Sequence, residues 1–298
     1  MGVSTMRKLP LILKIALIGL GLRITPAAMA IADEEESESA VRHEFLFMIE
    51  EAYTQEKGQW QVCFTSQYMD RKKSKEGDEL KITDQWQWMT EIEYGLSDWL
   101  QLEVEVPFAN VHKKTIEDGE TTPLDKAGIW DVETGIRIRL SEENEGRWWS
   151  PTVSAGFELT WPTGYWQRDL GTDRYGWEAN LSLSKTIDNW AYHLMGGFGL
   201  TDDAREQGEN EEVDVEEFKV GGALVYRPTD KLDFICELLA EFEKEESSSN
   251  RSHEAEFYMT PGIKHELFRD FEMGVGVPIG LTHESYDWAI VAKVQYEW

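Results

Sequence analysis

The residues in this chain that could do chemistry are carboxylates recurring at a spacing of two. Glu91 and Glu93, Glu103 and Glu105, and Asp131 and Glu133 are such pairs, and Glu237 and Glu241 keep the same parity. Glu158 and Glu178 stand singly in similar surroundings, and the bases Arg137 and Arg139 and the imidazole of His193 share their pattern. In a β-strand, residues two apart point to the same face, so each pair aims its charges one way. With Glu217, Asp233, Glu243, Glu256, Glu272 and Glu297 added, and with Lys219, Lys264 and Lys293, that face holds sixteen acids and five bases. Two uses follow. Carboxylates around a wet interior draw in cations and repel anions. Alternatively they are wall-filling ion pairs that crowd a closed interior. Catalysis fits poorly: His193, Ser154 and Ser182 share the face, but no Ser/His pair with a third orienting residue stands at an outer rim. The six histidines are scattered, with no pair at ligand spacing. Glu117, Asp118 and Glu120 read as a solvated acidic run. The expectation is no enzyme, no metal and no cofactor.

The elements that must position these groups are strands. From Gln59 onward the apolar period is two with little interruption. Leu100, Leu102, Val104, Val106 and Phe108 oppose Gln101, Glu103 and Glu105, and eleven other segments follow the same rule. A soluble sandwich also alternates. Aromatics at the ends of the apolar faces point instead to lipid headgroups: Trp86, Trp88, Trp149, Trp161, Trp190, Trp288, Tyr296 and Trp298. Short turns at 96–98, 141–146, 187–189, 228–230 and 268–270 alternate with longer loops at 70–79, 109–128, 163–174 and 202–213. The pattern predicts an all-β fold, a closed antiparallel transmembrane β-barrel of about 12 strands over residues 58–298. Closure removes the sheet edges that lipid could not satisfy. An even strand count with short periplasmic turns leaves both termini periplasmic.

Composition agrees with this class. Lys and Arg total 29 against 57 Asp and Glu, a formal net charge of −28, which argues against a nucleic-acid partner. Disorder is excluded by 12% aromatic residues, 13 of them Trp, which need amphipathic surfaces to sit on. Residues 1–30 combine Arg7 and Lys8, an apolar stretch from Leu9 to Leu22 and Ala-Met-Ala at 28–30, the pattern of a cleavable signal peptide. Residues 31–57 are expected to form an acidic periplasmic segment before the barrel; His43 to Gly58 could be a short helix or an extended lead-in, plugging the interior or lying below it. Cys63 and Cys236 fall on opposite faces, which argues against a disulfide between them.

The last segment, Ser285 to Trp298, sets Trp288, Ile290, Ala292, Val294, Tyr296 and Trp298 against Lys293, Gln295 and Glu297. An alternating strand ending on an aromatic is expected to engage the barrel-assembly machinery and to pair with the first strand, Trp60 to Tyr68.

Several passages resemble the outer-membrane transporter family associated with the meta-pathway of phenol degradation. Glu91 to Phe108 resembles its tyrosine-glycine-turn-strand signature, and Gly128-Ile-Trp-Asp-Val-Glu-Thr-Gly135 its glycine-x-x-aspartate strand opening. Trp161-Pro-Thr-Gly164 resembles its proline-threonine-glycine loop, and Leu183-Ser-Lys185 its mid-chain strand end. The chain departs in lacking the family's aspartate-arginine-proline opening and in having Trp130 where glycine is common. The resemblance implies an uptake channel for small, often hydrophobic compounds, with no catalytic residues. The expected function is passive uptake of small hydrophobic or cationic solutes through an acidic lumen in the bacterial outer membrane, with membrane lipids around the wall. The alternative is a non-conducting structural or surface-interaction barrel.

Overall fold

The computed structural model describes residues 45–298 except 77–78, 118–119, 145, 148, 166–169, 206–211 and 247–250. The expected signal peptide and residues 31–44 lie outside the described residues. The strands are β1 (Trp60–Glu76), β2 (Glu79–Ser97), β3 (Leu100–Glu117), β4 (Glu120–Ile129), β5 (Val132–Ser141), β6 (Thr152–Trp161) and β7 (Gly176–Ile187). They continue as β8 (Trp190–Arg205), β9 (Glu212–Thr229), β10 (Leu232–Glu246), β11 (Arg251–Phe268), β12 (Phe271–Gly276), β13 (Ile279–Gly280) and β14 (Trp288–Glu297).

These fourteen segments make a closed antiparallel barrel of 12 strands. β4 and β5 are one strand broken at Trp130 and Asp131, both halves pairing with β3. β12 and β13 are likewise one strand, both halves pairing with β11 and with β14. The barrel closes where β14 meets β1, from Gln61↔Glu297 to Asp70↔Trp288. Trp60 and Trp298 complete the seam, each N–H donating to the other's carbonyl at 2.9 Å. The expected pairing of first and last strands is therefore present.

Face assignment follows the sequence parity. Phe64, Phe157, Leu181, Leu194, Phe234, Leu238, Val275 and Ile290 stand exposed on the outer wall, whereas Gln61, Gln101, Ser154, Ser182, Glu237 and Lys264 are buried inside. So many large apolar side chains in one outward belt suit hydrocarbon rather than water. Aromatic contacts concentrate at its two margins. At the short-turn end Trp60 meets Tyr94 and Trp190 meets Tyr226. At the long-loop end Tyr68 touches both Trp86 and Trp288, and Trp161 meets Tyr175. Trp88, Trp161 and Trp288 thus lie with Trp86 at one margin, and Trp190, Tyr296 and Trp298 at the other. Cys63 is buried on the inner face and Cys236 exposed on the outer, both free.

Two expectations need correction. Residues 70–79 and 109–128 are not loops: β1 and β2 stay paired to Glu76↔Glu79, and β3 and β4 to Glu117↔Glu120. Polar residues predominate at both parities of these stretches, so hydrophobic alternation does not reveal them. Trp149 does not begin a strand. It stands in the turn before Thr152, 60% exposed, with the Arg147 guanidinium 5.4 Å from its ring. For the segment before β1, left open between a helix and a lead-in and between plugging the interior and lying below it, the structure selects one alternative. Residues 45–57 form neither helix nor strand and run inside the barrel, with Phe45, Leu46, Ile49, Ala52, Tyr53, Thr54 and Gln55 all buried.

Candidate functional site

A buried chain segment without a sheet partner must find hydrogen bonds elsewhere. Here the inward polar side chains of the wall supply them. The N–H groups of Phe47 and Met48 donate to the Glu237 carboxylate at 2.7 Å, and that of Ile49 at 3.2 Å. Ala52 N–H donates to Ser184 Oγ at 2.8 Å and Gln55 N–H to Gln101 Oε1 at 2.7 Å. The carbonyls of Leu46 and Glu51 accept from Lys293 at 3.1 Å and from Arg137 at 2.8 Å. The segment therefore passes from β2 and β3 past β5 and β7 to β10 and β14, forming a floor toward the short-turn end.

Shape fits as well as polarity. The Phe47 ring fills space over Gly262 and Gly276 that any Cβ would invade. Leu46 and Ile49 join an inward apolar cluster with Met195, Val225, Ile235 and Leu239. At the other end of the segment, Gly95 leaves room for the Glu56 carbonyl, and its N–H bonds to Gln59 O at 3.0 Å.

The floor ties into a charge network. Arg137 donates to Glu103 at 2.9 Å and to Glu50 at 2.7 Å. Asn180 donates to Glu50 at 3.0 Å and, less closely, to Glu158 at 3.4 Å. Arg139 pairs instead with Glu142 near the turn, at 3.8 Å. Gln55 donates to Glu93 at 2.9 Å. Nearer the turns, fully buried Lys264 lies between Asp233 at 2.9 Å and Glu272 at 2.7 Å. These are wall and floor ion pairs.

On the long-loop side of the floor lies a cavity of about 360 Å³. Glu50 from the floor lines it with Glu105, Glu133, Glu158, Glu178, Glu217 and Glu241 from the wall, and Lys219 is the one base among the lining residues. Lys219 is 2.9 Å from Glu178 and 3.4 Å from Glu217. The inward charges therefore divide between ion pairs of the wall and floor and a cluster that lines the cavity.

The remaining expected lining residues lie elsewhere. Glu91 is on the inner face of β2, away from the cavity lining. Glu237 is consumed in holding the floor. Asp131, at the break between β4 and β5, anchors the loop between β6 and β7: its carboxylate accepts from Gly164 N–H at 2.7 Å and from Thr172 N–H at 2.8 Å. Leu170 of that loop is completely buried. Asp131→Ala should release the loop, measured as faster limited proteolysis within residues 162–175 while the strands stay protected. Unchanged cleavage would mean that Leu170 alone seats it.

His193 and Ser184 do meet, at 2.8 Å between Nδ1 and Oγ. The pair lies buried beneath Ala52, whose N–H occupies Ser184 Oγ. A nucleophile needs access to substrate, and this pair instead clamps the floor. Spacing gave no hint of the parts played by Glu50, Gln55 and Asn180. The one available signal was the apolar run Phe45 to Ile49, too hydrophobic for a solvated lead-in.

Fold and interior together define the outer-membrane type of β-barrel, closed and lipid-facing outside, polar and charged inside. No family model matches the sequence, and no curated protein matches it. Among solved structures, the chain is similar to an outer-membrane channel from Pseudomonas putida F1, with a TM-score of 0.64 and 14% identity over 83% of this chain and 98% of that one. It is also similar to the transport unit of the autotransporter AIDA-I from Escherichia coli, at a TM-score of 0.52 and 10% identity over 84% and 93% of the two chains. At these identities the likeness is one of fold.

Proposed function

We propose that this chain is a bacterial outer-membrane channel that passes small solutes passively, favouring cationic or neutral ones over anions. The observation that carries the reading is the cavity above the floor, where seven carboxylates face one ammonium. At such close quarters an uncompensated ring of one sign raises the local concentration of counter-ions and excludes co-ions. In this reading residues 1–30 direct export, both termini lie in the periplasm, membrane lipids surround the wall, and the β14 strand ending at Trp298 engages the assembly machinery. No catalytic step and no cofactor belong to the proposal.

The buried floor favours a second reading, a barrel that does not conduct. Planar-bilayer recording on folded protein, checked by heat-modifiable gel migration, separates the two. Discrete currents with a cation-positive reversal potential in a KCl gradient are expected. Silence from folded protein would establish the closed-barrel reading, and anion preference would overturn the role given to the glutamates.

A further inference from the structure

Lys219 differs from the other inward bases. Arg137, Lys264 and Lys293 hold the floor or the wall near the turns, whereas the Lys219 ammonium stands in the cavity itself. Its position is shaped by what β8 lacks. Gly197 lies directly between Asn180 and Lys219, and Gly199 directly between Glu178 and Glu217. A Cβ at Gly197 would press to 2.9 Å from Glu178 Oε1, and one at Gly199 would come into ordinary contact with Glu178 Oε2 at 3.8 Å. The bare stretch of β8 is therefore a trough. Glu178 reaches across it from β7, and Lys219 and Glu217 from β9.

The trough thus holds a primary ammonium on a four-carbon stem, bound by two carboxylates. Glu105 and Glu241, on the same cavity wall, have no hydrogen bond or ion pair with any described residue. We propose that the trough over Gly197 and Gly199 is an alkylammonium site, and that Lys219 is the tethered occupant that limits how strongly the channel holds cationic solutes. The lysine neutralises the pair that would otherwise bind a passing amine most tightly, leaving weaker single carboxylates. A pore must bind its solute weakly enough to release it, and a tethered competitor does this. The inference rests on the channel reading proposed above.

The test uses n-butylammonium, which reproduces the lysine side chain. In Lys219→Ala the vacated trough should take up the free amine and block the current. Charge-assisted bonds to two carboxylates should lower the blocking concentration roughly tenfold relative to wild type. Neutral n-butanol should not block, Lys219→Met should stay insensitive because its own stem fills the space, and adding Glu178→Gln to Lys219→Ala should abolish the block. Lys219→Ser provides the same vacated trough with a more polar remnant, should the alanine variant assemble poorly. Equal block of wild type and both shortened variants would overturn the site while leaving the channel reading intact. Absence of any current from folded wild-type protein would remove the channel reading itself, and the proposal with it.

Discussion

A chain shortened by residues 31–56 is expected to conduct several-fold more than the full chain, with the barrel wall preserved. The floor is built almost entirely from contacts between residues 45–56 and inward side chains, so its removal opens the short-turn end without breaking a strand ladder. Glu237 would lose three N–H donors, Arg137 would lose Glu50 and the Glu51 carbonyl, and Lys293 the Leu46 carbonyl. In a closed interior such losses would be severe, because an unsatisfied buried polar group costs about 1–3 kcal/mol. Here water enters as the segment leaves and replaces most of those partners, so the wall should still show heat-modifiable migration. Single-channel recording checks the prediction. An unchanged conductance would show that the narrowest point lies elsewhere, with the loop anchored by Asp131 the next candidate.

The wall was legible from sequence for a simple reason. Lipid outside and water inside impose opposite demands on successive residues, so Leu100 to Phe108 states both faces in nine residues. Where both faces are wet, as in the β3–β4 ribbon from Phe108 to Ile129, that contrast vanishes and the strands read as loop. The floor was illegible for a different reason. Its partners are 86 to 247 residues away in sequence for Arg137, Glu237 and Lys293, and no local pattern encodes contacts at that separation. The inward carboxylates were visible, but their division into holders of the floor and liners of the cavity was not. Glu237 and Glu241 share strand, parity and residue type, yet the first binds backbone and the second faces the cavity.

The network around Arg137 should dominate stability. Its guanidinium is almost fully buried and satisfies Glu103, Glu50 and the Glu51 carbonyl together. Removing one member of a buried pair costs far more than the pair contributes net, because the remaining charge stays desolvated. Arg137→Ala should therefore destabilise the barrel by about 3–5 kcal/mol, seen as a lower urea midpoint for loss of the heat-modifiable form. Neutralising the stranded partners should recover much of this: Arg137→Met combined with Glu103→Gln and Glu50→Gln leaves no buried charge to compensate. If the triple variant is as unstable as Arg137→Ala, the cost comes from lost shape and hydrogen bonding rather than from the unpaired carboxylates. Arg137→Lys separates these further, since an ammonium keeps the charge but lacks the planar fork that serves Glu103, Glu50 and the Glu51 carbonyl at once. It should recover only part of the stability, and it should leave the floor less firmly seated, with open-channel noise rising as the Glu51 carbonyl loses its donor.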